Sequence, residues 1–110
     1  MLTIRFSEND KRPDIEKIKD HEVVMLKEII NAVCDAIDKN IPTVVALYFE
    51  IPGQKDLLEI KLGKSVYKLE LMVGIKILAE VEEYEYCAKA HKYIKILDAE
   101  EERFLLNQPT

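Results

Sequence analysis

The sequence predicts an α+β fold: an antiparallel sheet with two long helices on one face, in the order βαββαβ plus a short C-terminal helix. Three observations carry this. From Asp20 to Lys39 apolar residues recur at helical spacing with no breaker, Thr43 to Ile51 is rich in β-branched and aromatic residues and almost continuously hydrophobic, and Leu58 to Leu62 alternates apolar with polar. A chain of 110 residues is expected to form a single domain, residues 1–110, and to bury about two-thirds of its unfolded surface.

Leu2-Thr3-Ile4-Arg5-Phe6 alternates as a short strand with one buried face, at or near a sheet edge. Ser7 to Arg12 is a polar loop, and Pro13 suits a first helical turn, where its missing N–H costs nothing. One helix with a weak point near Asp20 follows, with Asp20 a candidate N-cap for the restart. Its stripe is Leu26, Ile29, Ile30, Val33 and Ile37, with Val23 and Cys34 at the margin. Asn40 tolerates a left-handed conformation and Pro42 pushes Ile41 out of the helical region, so the helix ends there.

Thr43 to Ile51 reads as a central strand covered on both faces. Pro52-Gly53-Gln54-Lys55 is turn chemistry leading to Leu58-Glu59-Ile60-Lys61-Leu62, so these two strands form an antiparallel hairpin. From Ser65 to His91 the residues are good helix formers, with Ser65 as a possible N-cap; the rival is a strand extension from Ser65 to Leu71. Gly74 marks the point at which that helix would bend or would instead begin. Tyr93-Ile94-Lys95-Ile96-Leu97 alternates as a last short strand. Asp98-Ala99-Glu100-Glu101 resembles a capping box opening a terminal helix with Phe104 and Leu105, and Asn107 to Thr110 is a tail. That element order is the one found in the ferredoxin-like split βαβ arrangement.

The composition, 48% hydrophobic and 34% charged, is that of a chain that buries a core and wets a charged surface. A net charge of -5 and a pI near 5.1 oppose nucleic-acid or anionic-membrane binding, which draws its affinity from clustered Lys and Arg. Lys11-Arg12 and the spaced Lys89, Lys92 and Lys95 are thin beside the acidic segments. Cys34 and Cys87 are too few for a disulfide scaffold. With no signal-like N-terminal apolar run and no stretch of roughly 20 apolar residues, the expectation is a cytoplasmic protein that makes no membrane contact.

Four constellations invite chemistry. Gly63-Lys64-Ser65 lacks the earlier glycine that a phosphate-cradling loop requires, because Leu58 stands at that position. Cys87 and His91 share a helical face, a spacing able to hold two ligands of a zinc ion or to pair a thiol with a base. The remaining ligands would have to come from His21, Cys34, Glu80, Glu83 or Glu85, and no paired motif supplies them. Tyr67, Tyr84, Tyr86 and Tyr93 lack the interleaved basic residues of an RNA-reading sheet. Glu80, Glu82, Glu83 and Glu85 spread around a helix as a solvated acidic face, one suited to a basic partner.

The expected function is therefore a non-enzymatic protein-interaction or regulatory module, with no metal, no cofactor and no catalytic residue. Its expected partner-binding residues are Glu80, Glu82, Glu83 and Tyr86. Self-association as a homodimer is expected because Val24, Met25, Ala32, Ala36, Met72, Ile75 and Leu78 lie off the main helical stripes and would be left exposed on a monomer. The alternative is a small-molecule-binding regulatory domain, with the ligand between strand ends and a helix at a subunit interface.

Overall fold

The structure, a computed structural model, describes residues 1–107. Its elements are β1 (Thr3–Arg5), α1 (Asp14–Lys19), α2 (Glu22–Asp38), β2 (Thr43–Glu50), β3 (Leu58–Gly63), α3 (Tyr67–Glu80) and α4 (Tyr84–Leu106), with a 3-10 turn over Lys64–Val66. The α+β class holds. The sheet, however, is mixed and three-stranded, in the order β1-β2-β3, with β1 parallel and β3 antiparallel to β2. The all-antiparallel expectation fails because α1 and α2 carry the chain back across the sheet, so β2 starts in the direction of β1. The ferredoxin-like arrangement fails with it, since these parallel strands are direct neighbours and the fourth strand does not form.

That missing strand is Tyr93 to Leu97, which lies inside α4. Its alternation is local, but Tyr86, Ala90, Tyr93 and Leu97 recur at spacings of four, three and four, and all are buried or half-buried. No Gly or Pro interrupts the chain from Tyr84 to Leu106, so a helix with a surface to pack on prevails over weak strand propensity. Asp98 to Glu101 accordingly lies mid-helix and opens nothing. Of the expected tail, only Asn107 falls within the described residues.

The long helix expected from Ser65 to His91 breaks at Val81–Glu83, well past Gly74. Glu82 adopts a left-handed φ of 63°. The Glu83 N–H donates to the Leu78 carbonyl at 2.9 Å and the Glu82 N–H to that of Ala79 at 3.1 Å, which is the Schellman closure of a helix end. Asn40 does the same for α2, with φ 55°, Ile41 donating to Ala36 at 2.8 Å and Asn40 to Ile37 at 3.2 Å. Asn is at home in that conformation; Glu is not. Glu82→Gly is expected to raise the unfolding free energy by about 1 kcal/mol, read by urea denaturation, and an unchanged midpoint would contradict the strain.

The first helix divides at Asp20–His21 as expected, but Asp20 is the C-cap of α1 and not the N-cap of the restart; His21 takes that place, without a side-chain capping bond. The Asp20 carboxylate takes the Arg12 guanidinium, which also holds Asp10 at 2.7 Å and so ties the Ser7–Arg12 loop to the joint between α1 and α2. Hydrogen bonding to Arg12 lowers the Asp10 carboxyl to about 2 and lowers that of Asp20 as well. Arg12 and Asp20 are exposed and Asp10 only half-buried, so the tie orders the loop and adds little to stability.

In β2 a bulge at Ala46 shifts the register between Val45 and Leu47. Leu47 and Phe49 are buried, while Thr3, Val45 and Tyr48 on the opposite face are only half-buried, so β2 is not covered on both faces as expected. α2 packs on β2, and α3 and α4 form an antiparallel hairpin that packs on α2. Ion pairs from Lys68 to Asp98 at 2.6 Å and from Lys64 to Glu100 at 3.4 Å mark that hairpin's register. α2 is thus enclosed from more than one side, which is why Ile30, Val33, Cys34 and Ala36 are all essentially inaccessible.

Candidate functional site

The α3–α4 corner gathers the expected partner-binding residues without placing them on one helical face. Glu80 ends α3, Glu82 lies in the connection, Glu83 precedes α4, and Tyr86 is in its first turn. Lys27 of α2 donates to Glu83 Oε1 at 2.6 Å and stands 5.3 Å from the Tyr86 ring centroid. Glu83 and Tyr86 therefore pin α4 to α2 through one ammonium group. Glu80 and Glu82 remain exposed, as does Glu85.

Cys87 and His91, four apart on α4, lie in different environments. The Cys87 thiol is buried and donates to the Ile75 carbonyl at 3.6 Å, whereas His91 is exposed. Among the described residues no three His, Cys, Asp or Glu side chains converge as metal ligands. Cys34 is buried in α2, and burial pushes its thiol up to about 11, leaving it protonated and a poor nucleophile. Tyr93 is nearly as enclosed; its hydroxyl donates to Asp38 Oδ2 at 2.6 Å, and this bond together with burial pushes it up to about 12. Gly63 closes β3 and Ser65 makes no capping bond, so Gly63-Lys64-Ser65 is an ordinary turn.

Two apolar clefts flank α1, which buries none of its own residues. One, of about 180 Å³, opens beyond the ends of β1 and β2 and is lined by Phe6, Lys17, Ile18, Phe49 and Leu58. The other, of about 280 Å³, lies between Ile15, Ile18, Met25 and Ile29. Ligand sites for drug-sized molecules run to roughly 300–1,000 Å³ with several converging polar groups. Asp14 and Lys17, paired at 3.6 Å, are the charged groups in the first cleft.

The surface that sequence reasoning placed least well is the outer side of α3. Tyr67, Leu71, Gly74 and Leu78 face inward and are buried. Leu69, Met72 and Val73 face outward, exposed by 57%, 51% and 39%. Positions three and four apart adjoin on a helix, so these three form a continuous aliphatic stripe, and Lys76 and Glu80 prolong it along the same side. The helical spacing of these residues carries the signal, in competition with a strand alternation over Ser65 to Leu71. Less apolar surface is left for a homodimer than expected: Ala36 and Leu78 are buried within the chain, and Met25, Ala32 and Ile75 pack on its core, so among the off-stripe residues Val24 and Met72 alone are exposed.

No family model, curated protein or solved structure matches the chain. Among the described residues no helix is long and apolar enough to cross a membrane.

Proposed function

We propose that the protein is a non-enzymatic, cytoplasmic interaction module that self-associates and holds a protein partner on the outer side of α3. The observation that supports this reading is the stripe of Leu69, Met72 and Val73, left exposed on a helix whose inner side is fully packed. Aliphatic side chains adjoining in this way on a charged surface gain free energy when another apolar surface covers them. Glu80 at the end of the stripe and Glu82 just beyond it favour a partner with basic groups beside its apolar contact. Glu83 and Tyr86 act in this reading by holding the corner in place.

Two measurements test it. Light scattering after size exclusion at tens of micromolar is expected to give a dimer mass, and a monomer would end the self-associating part. Affinity capture with the native chain is expected to retain a partner that the doubly substituted Leu69→Ser, Met72→Ser chain loses. Both positions are exposed, so the two substitutions together should leave stability within about 1 kcal/mol. Retention of the same partner by the variant would remove α3 as the binding surface.

A further inference from the structure

The outer edge of β3 is the long free edge of the sheet. β2 lies along its inner side, and the opposite edge strand, β1, is only three residues. An edge strand presents backbone N–H and C=O groups that pair readily with another strand, and a charged residue such as Lys in its middle ordinarily prevents this. Lys61 holds that position, but Glu59 stands two residues before it on the same face of the sheet, both exposed and 3.3 Å apart. Leu58, Ile60 and Leu62 take the other face, opposite Phe49, Leu47 and Val44 of β2. That face is incompletely covered at the edge, where Leu58 is 47% exposed.

We propose that two copies of the chain pair antiparallel through the outer edges of β3, with a two-fold axis at Ile60, joining two three-stranded sheets into one. In this register Glu59 meets the second copy's Lys61 twice, Leu58 meets its Leu62 twice, and Ile60 meets itself. Neighbouring registers are disfavoured by the same residues. A slip of one residue sets the charged face of one copy against the apolar face of the other. Centring the axis on Lys61 or Glu59 instead brings like charges face to face. The charges that would block most edges thus select one self-complementary pairing. Charge complementarity is the argument for a second copy as the occupant, and the inference rests on the self-associating part of the proposed function.

The test uses the full chain in three forms: native, Glu59→Lys and Lys61→Glu. Each single substitution sets like charges opposite each other twice in its own homodimer, so each variant is expected to dimerise at least about tenfold more weakly than the native chain. Mixed in equal amounts, the two variants are expected to form a heterodimer of near-native affinity, because every Glu then meets a Lys. Light scattering reads the mass, and amide exchange should slow over residues 58–62 in the native and mixed samples alone. Substitutions at these exposed positions leave the core untouched, and a thermal melt verifies the fold. Native-like dimers from both single variants would overturn the β3 pairing while leaving self-association standing, and so would a mixture that stays monomeric beside a dimeric native chain. A native chain that is monomeric at tens of micromolar would overturn both.

Discussion

Tyr67→Ala is expected to lower the unfolding free energy by about 4 kcal/mol, and Tyr67→Phe by about 1 kcal/mol. Tyr67 is the largest fully buried side chain of the molecule, at the first residue of α3. Truncation to Ala removes the ring's burial and leaves a cavity between helices that are held apart by their other contacts. The hydroxyl does a separate job: it donates to the Ile41 carbonyl at 2.9 Å. Ile41 follows the left-handed Asn40 that closes α2, so this bond joins the start of α3 to the turn between α2 and β2. Phe keeps the ring and loses the bond, leaving that carbonyl without its partner. Urea denaturation of both variants gives the two numbers. A Phe variant as unstable as the Ala variant would mean the hydrogen bond, and not the packing, dominates; a Phe variant equal to the native chain would mean the bond contributes nothing.

Gly74→Leu is expected to cost about 3 kcal/mol and Gly74→Ala about 1 kcal/mol, although Gly is the poorest ordinary helix former and α3 runs unbroken through it. A Cβ built at Gly74 would meet Ile30 Cδ1 at 2.8 Å and Cγ1 at 3.2 Å. Ile30 is completely buried, so turning its Cδ1 away from a new Cβ presses it against other closely packed side chains. Overpacking of about 2 kcal/mol therefore outweighs the roughly 1 kcal/mol that Ala gains in helix propensity. The pair supplies its own control. Ile30→Val removes Cδ1, the atom in closest conflict, and alone should cost about 1 kcal/mol. In the Gly74→Ala background the same change should cost nothing, a coupling of about 1 kcal/mol in a double-mutant cycle. Additive losses would show that α2 and α3 do not approach as closely at this point as the structure has them.

The elements best read from sequence are those whose causes are local. The stripe of α2, its end at Asn40, the joint near Asp20 and the hairpin of β2 with β3 each follow from spacing or from one residue's conformational preference, and each is in the structure. The break at Glu82 was not legible because Glu-Val-Glu-Glu contains no residue that favours a left-handed turn. Tyr93 to Leu97 is illegible for the complementary reason: its alternation is that of a strand, and only packing on α2 and α3, outside the segment itself, gives it a helical surface. The candidate site divides in the same way. Acidic residues near 80–86 were visible as composition, but Lys27, far away on α2, takes Glu83 and Tyr86 out of the exposed set.

By itself, then, the chain determined its class, the position of its central helix and its hairpin, because hydrophobic period and turn chemistry act over a few residues. Tertiary structure decided the parallel pairing of β1 with β2, the helical hairpin of α3 and α4, and which aliphatic side chains reach the surface. Those outcomes depend on which surfaces meet across long stretches of sequence, and burial against a distant partner outweighs the fraction of a kilocalorie per residue by which helix and strand propensities differ.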